Sequence, residues 1–300
     1  NCGPFDENAM RKPGQIAVDS KGRLWVTEET SNPKRTSLWS VSDGKLIKDF
    51  IGPLSYSGAG AINPDDPTMG FADSTVYKLD LEKGTSRPVY SLGKSESPDD
   101  LFPPVSSSHC KILQLNGATY NFTNGSARGA VECHATILKD GKWCSVAHLG
   151  VVCPKDQPKV GEYEKFKHPI FAGRENQFYA WADANGDGLV QADEIKFSNP
   201  VLDGQPIGLM VGYWGQLPDS DGAVCYSGGR SEENPNMAKY TLKYKITGYT
   251  ACGAPIYDMT KPMAFKGAYN SGEAMVSGGY QGRVYFNTVP LTGFDKDGKV

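Results

Sequence analysis

An all-β fold built by radial repetition of short hairpins is what this 300-residue sequence predicts. Three observations carry that prediction. Short apolar–polar alternations recur along the chain, and turn signals separate them. Gly (35 residues) and Pro (20) are frequent enough to interrupt long helices almost everywhere. Almost no segment repeats its apolar residues at the 3.6-residue period of an amphipathic helix.

In "GQIAVDSKGRLWVTEE" (14–29), Ile16 and Val18 alternate with smaller or polar neighbours, "DSKG" turns, and Leu24 and Val26 resume the alternation. A second unit places Asp-Gly at its turn: Asp43-Gly44-Lys45, Asp140-Gly141-Lys142 and Asp297-Gly298-Lys299. The Asp-Gly pair supplies the positive φ that a tight turn requires. "MVSGGYQGRVYFNT" (275–288) returns to the first pattern, and "LPDSDGAVCYSGG" (217–229) is a weaker relative. Two alternating hairpin signatures over the whole length fit a β-propeller better than a two-sheet sandwich, which uses fewer residues per domain. One domain spanning 1–300 is therefore expected. Polar stretches at 91–109, 153–169 and 228–239 read as surface excursions from it.

"IAVDSKGRLWVTE" (16–28) resembles the signature strand pair of NHL-type and gluconolactonase-like (SMP-30-like) β-propellers. The sequence as a whole is similar to secreted bacterial propellers with an inserted calcium loop. At four strands per blade, six or seven blades would fit 300 residues. The gluconolactonase-like branch of the resemblance implies a divalent metal in a central channel, held by acidic and amide side chains. Glu28 and Glu29 stand where such a ligand would fall, although solvated charges are the preferred reading. None of that family's catalytic residues is carried over. The sequence stops at Val300, after the last Asp-Gly-Lys turn, which raises the expectation of an open blade edge able to pair with another chain.

The most explicit chemistry lies in "ADANGDGLVQADEI" (182–195). Calcium takes six to eight oxygen ligands, and the EF-hand-type loop supplies them at fixed positions. Here Asp183, Asn185 and Asp187 fill positions one, three and five, and Gly188 allows the sharp turn at six. The Leu189 carbonyl serves at seven, Gln191 at nine directly or through water, and Glu194 at twelve with both oxygens. Val190, at eight, is the apolar residue expected to pack inward. The preceding "RENQFYAWA" alternates like a strand, and "QADEIKF" is expected to form a short helical turn. A solitary loop between strands has no helix pair to rotate, so its calcium is expected to brace the fold rather than signal. The 183–194 loop is thus a calcium site within the β-domain.

The other candidates carry less. Cysteines at 2, 110, 133, 144, 153, 225 and 252 suggest an exported protein, and sequons at Asn121 and Asn124 offer sites for glycans. Cys110–Cys133 and Cys144–Cys153 are candidate disulfides, though spacing does not fix connectivity. His109-Cys110 and Cys133-His134 mirror one another without chelating spacing. Cys144 and His148 would share one face of a strand roughly 13 Å apart, too far for one metal. Asp65-Asp66 reads as a turn. Tyr213, Trp214, Tyr249 and Tyr257 read as core packing ahead of a sugar-stacking surface.

Net charge is −3 and mean hydropathy is −0.44. No basic stripe suited to nucleic acid exists, and no apolar run approaches the roughly 20 residues of a membrane span. No nucleophile elbow or phosphate-binding glycine loop is present. The function expected is a calcium-stabilised, non-enzymatic binding or structural module, extracellular or at the cell surface, whose partners are other protein chains or copies of itself. The alternative is a metal-dependent lactonase or carbohydrate-active hydrolase working in the central channel.

Overall fold

The computed structural model describes residues 3–4, 6, 8–10, 13–28, 34–52, 61–72, 74–93, 97–104, 110–124, 132–152, 165–207, 218–230, 237–270, 275–280 and 283–287. Its contacts group into two compact units, Asn1–Ser95 with Pro104–Cys110, and Glu96–Pro103 with Lys111–Val300. Every strand pairing described is antiparallel, and no α-helix occurs among the described residues.

The first unit contains β1 (Gly3–Pro4), β2 (Pro13–Val18), β3 (Arg23–Glu28), β4 (Arg35–Ser40), β5 (Leu46–Ile51), β6 (Ala61–Ile62), β7 (Met69–Ala72), β8 (Thr75–Asp80) and β9 (Thr85–Ser91). They form two sheets, ordered β2-β3-β4-β5 and β1-β9-β8-β7-β6. The expected first hairpin is present, with Ala17 opposite Trp25 and Val18 opposite Leu24. The Asp43-Gly44-Lys45 turn joins β4 to β5, with Gly44 at φ 68°. β2 is an edge strand whose Ile16 and Val18 are exposed, whereas Val26, Leu38 and Trp39 behind it are buried.

Glu28 corrects an expectation. It is buried instead of solvated, because the β3–β4 register sets it opposite Arg35. The Arg35 Nη1 lies 3.2 Å from Glu28 Oε1, and its Nε lies 3.1 Å from Asp49 Oδ2. A buried carboxylate is tolerable only with such a partner. Glu29 lies outside the described residues. Asp65-Asp66 is a turn as read: Asp65 N donates to Asn63 Oδ1 and Thr68 N to Asp66 Oδ1.

The second unit is built on a six-stranded sheet in simple sequential order. Its strands are β10 (Cys110–Leu115), β11 (Ala118–Asn124), β12 (Cys133–Lys139), β13 (Lys142–Val151), β14 (Phe178–Ala182) and β15 (Ile195–Ser198). The β12–β13 turn is the expected Asp140-Gly141 pair, both at positive φ. Further strands follow: β16 (Val201–Leu202), β17 (Gln205–Pro206), β18 (Val224–Arg230), β19 (Met237–Tyr244), β20 (Ile246–Tyr249), β21 (Pro255–Tyr257), β22 (Met263–Asn270), β23 (Met275–Tyr280) and β24 (Arg283–Asn287). The β23–β24 hairpin matches the 275–288 reading, while the Asp297 turn and the chain end lie outside the described residues.

Alternation gives the six-stranded sheet two different faces. Tyr120, Phe122, Ala135, Leu149, Phe178 and Ala180 pack on one side with Tyr226, Leu242 and Tyr257. At about 1.5–3 kcal/mol for each large side chain removed from water, this cluster dominates the unit's stability. The other side carries Asn121, Thr123, His134, Thr136, Ser145 and His148, all buried as well. Trp181 of β14 shares this face, and its cover includes Phe102 and Phe171.

One irregularity decides which residues share a face. The β12–β13 register shifts between Ala135 and Thr136, so Ser145 opposes Thr136 while His148 opposes His134. Such a bulge adds one residue to one strand. Cys144 opposes Ile137 on the apolar face, so Cys144 and His148 point to opposite sides, contrary to the expected shared face. Cys133 is a buried free thiol on the apolar side, so the Cys110–Cys133 bridge is not formed. Cys153, the other half of the second candidate bridge, lies outside the described residues.

Candidate functional site

The 183–194 loop connects β14 to β15, so the strand read before it is present. After it the structure departs from the reading: residues 192–194 turn and Ile195 begins a strand, not a helical turn. Ile195 pairs with Trp181 across the hairpin, and that pairing claims the backbone which a helix would have used. Val190 is buried among Phe171, Trp181 and Ile195, as position eight required.

Asp183 begins the loop at 1% exposure, and Glu194 ends it at 8%. Asp183 accepts the Gly186 amide at 2.6 Å on Oδ1 and the Gly188 amide at 3.2 Å on Oδ2. Glu194 accepts Ala184 N at 2.8 Å and the Trp181 indole N–H at 3.0 Å. Asp187 receives Leu189 N, the Asn185 amide at 3.0 Å and the Gln191 amide at 2.9 Å. Gly186 and Gly188 sit at φ 87° and 72°, where a side chain is strained.

The electrostatics are those of a site short of positive charge. No ion pair to Asp183, Asp187 or Glu194 is found among the described residues. Burial pushes the Asp183 carboxyl above its ordinary value, and the Glu194 and Asp187 charges push it further, against the pull of the Gly186 and Gly188 amides. The Gln191 Oε1 is buried without a hydrogen-bond partner. An unsatisfied buried oxygen on a side chain already bonded to Asp187 is chemistry that suits a hard cation. Among the described residues, no three His, Cys, Asp or Glu side chains form a ready metal cluster. Asp183, Asp187 and Glu194 are no exception, so the loop stands on its order of oxygen-bearing residues, Asn185, Gln191 and the Leu189 carbonyl included.

The polar face of the sheet is the second candidate, and sequence reasoning found only its histidines. Ser145 Oγ donates to the Phe102 carbonyl at 2.6 Å, which commits its one proton. His134 Nε2, 3.1 Å from that oxygen, is therefore the donor to Ser145. Ser145 is not a nucleophile awaiting a base. The Tyr179 hydroxyl lies 3.3 Å from Glu132 Oε1 and 3.1 Å from His148 Nδ1. Lys165 Nζ, in a 3₁₀ turn, reaches Glu132 Oε1 at 2.5 Å. Phe102 stacks on the His148 ring with centroids 3.9 Å apart.

Burial, then the Lys165 charge, pushes His134 down to about 3. The same two causes, with His134, hold His148 well below its ordinary value. Both imidazoles are neutral, and Glu132 is compensated from within the chain. Neither Glu132 nor Lys165 carried a spacing signal in the sequence. Strand pairing and the turn near residue 165 bring them together.

The remaining candidates resolve simply. Tyr257 is buried and donates to the Gly222 carbonyl at 2.7 Å, while Tyr249 packs partly buried against the same core, as read. Asn121 is fully buried on β11, opposite Thr136, so the folded chain offers no position there for a glycan. Asn124 ends β11. His109, Tyr213 and Trp214 lie outside the described residues. No helix among the described residues is long and apolar enough to cross a membrane.

No family model matches the sequence. No curated protein matches it either. Among solved structures, a catalytically inactive virginiamycin B lyase from Staphylococcus aureus with quinupristin is 14% identical. The match covers 96% of this chain and 82% of that one, at a TM-score of 0.33. The Cps50 (Swd1) β-propeller domain of Myceliophteria thermophila is 9% identical over 89% of this chain and 76% of that one, at 0.27. A post-proline cleaving enzyme from Rickettsia typhi is 12% identical over 89% of this chain and 40% of that one, at 0.30. Overlaps of this size transfer neither architecture nor activity to this chain.

Proposed function

We propose that this chain is a calcium-braced β-propeller, with six or seven blades, that acts as an exported binding or structural module instead of an enzyme. One observation carries the proposal: Asp183 and Glu194 are buried at the two ends of one loop, with the exposed Asp187 between them, and among the described residues no cation answers them. A calcium ion held by Asp183, Asn185, Asp187, Leu189, Gln191 and Glu194 would supply the missing charge. It would tie the β14–β15 connection to the sheet. Loops of this kind in extracellular modules bind calcium at about 10⁻⁴–10⁻³ M, which suits an exported protein. Association with other chains, as in a surface layer or fibre, is the setting in which such bracing serves.

The test is calorimetric titration with calcium, alongside the mass of native material. One calcium per chain, lost in Glu194→Gln, is the expected result. Absence of calcium binding to never-chelated protein overturns the reading. A second reading, a hydrolase acting on lactones or glycans, is favoured by Glu132, His148 and Tyr179 lying in one network. Turnover that vanishes in His148→Asn while calcium binding persists would establish it.

A further inference from the structure

Two side chains from far along the sequence close over the calcium loop. Thr250 Oγ1 donates to the Asp183 main-chain oxygen at 2.8 Å across 67 residues, and accepts the Ala254 amide at 3.0 Å. Cys252 Sγ donates to the Ala184 carbonyl at 3.3 Å. A β-carbon at Gly186 would lie only 3.1 Å from that sulfur. Positions one, two and four of the loop are thus all met by the turn that joins β20 to β21. On its other side, Asp183 N donates to the Val146 carbonyl at 2.8 Å. The residue that supplies the first ligand is therefore fastened at both of its peptide groups.

We propose that the β20–β21 turn belongs to the calcium site: Thr250 is a positioning residue for Asp183, and the half-buried Cys252 thiol is shielded or released according to whether the loop holds calcium. This rests on the calcium reading above. Three carboxylates in one loop repel when no cation lies among them, and the loop then relaxes away from the turn that covers it. Calcium removes the repulsion and returns the Ala184 carbonyl and Gly186 to the thiol. Coupling of this kind is reciprocal in binding free energy, so a group attached to Cys252 must weaken calcium binding.

The experiment uses the full chain with saturating calcium or with chelator, reacted with iodoacetamide and read at Cys252 by peptide mass spectrometry. Alkylation is expected to run about tenfold slower with calcium. In Glu194→Gln it should stay fast in both conditions. By calorimetry, Thr250→Val should bind calcium about fivefold more weakly, as loss of one hydrogen bond implies, and Thr250→Ser should restore the affinity. If calcium binds but Cys252 reacts at one rate with and without it, the coupling is overturned and the calcium reading stands. Undiminished affinity in Thr250→Val overturns the positioning role. Should no calcium bind at all, both fall together. If Thr250→Val does not fold, the two wild-type alkylation rates decide the question alone.

Discussion

Glu132 and the pair Asp183–Glu194 are carboxylates buried in the same unit, and the chain treats them in opposite ways. Glu132 is answered by Lys165 and approached by the Tyr179 hydroxyl and His148. Among the described residues, Asp183 and Glu194 receive amides and an indole N–H, which share dipoles but bring no positive charge. The difference teaches how each site relates to its surroundings. A carboxylate neutralised by its own chain makes a finished piece of core. Carboxylates without such a partner are where the proposed calcium would act, and stability there would then depend on an ion from solution.

The largest effect should come from removing the internal cation. Lys165→Met leaves Glu132 buried and uncompensated, at an expected cost of about 3–5 kcal/mol in denaturant unfolding. A loss below about 1 kcal/mol would mean that water already reaches Glu132, and the contrast would dissolve. At the other site, chelation takes the place of mutation. With calcium about a hundredfold above its dissociation constant, chelator should lower stability by about 2.7 kcal/mol, seen as a lower melting temperature. The same addition should leave Asp183→Asn almost unmoved.

Protonation sharpens the comparison next. His134 and His148 are held neutral in the fold, with values pushed below the ordinary 6.5. The unfolded chain gains protons below pH 6.5 that the folded chain refuses. Their contribution is therefore complete above that pH and is lost as pH falls from 6.5 towards about 3, the folded value for His134. Each imidazole should remove about 1.4 kcal/mol per pH unit in that window, and unfolding midpoints at pH 7 and pH 5 measure it. His134→Asn should halve the slope. The smallest effect is expected of Gly186→Ala. Its φ of 87° and the nearby Cys252 sulfur should together cost about 1–2 kcal/mol, together with weaker calcium binding in the same sample.

Much of this was legible from residue order where the determining interactions are short-ranged. The Asp43-Gly44 and Asp140-Gly141 turns fall where they were read, because positive φ is a property of two or three adjacent residues. Val190 was identified as an inward residue from its place in the loop, and the strand 178–182 from its alternation. Glu28 was misread because its partner, Arg35, becomes visible only once β3 and β4 are in register. The expected helical turn after the loop failed for the same reason, since Ile195 is taken up by Trp181.

What the sequence determined by itself is the hairpin grammar and the order of oxygen ligands from Asp183 to Glu194, since both are written within a dozen neighbouring positions. Tertiary structure alone decided which residues meet across the sheet. The β12–β13 bulge turned His148 away from Cys144 and towards His134. Folding brought Lys165 to Glu132, and Thr250 to the Asp183 carbonyl. The physical reason is that a turn is chosen by local torsional energies. A buried charge is tolerated or not according to partners that only the folded chain assembles.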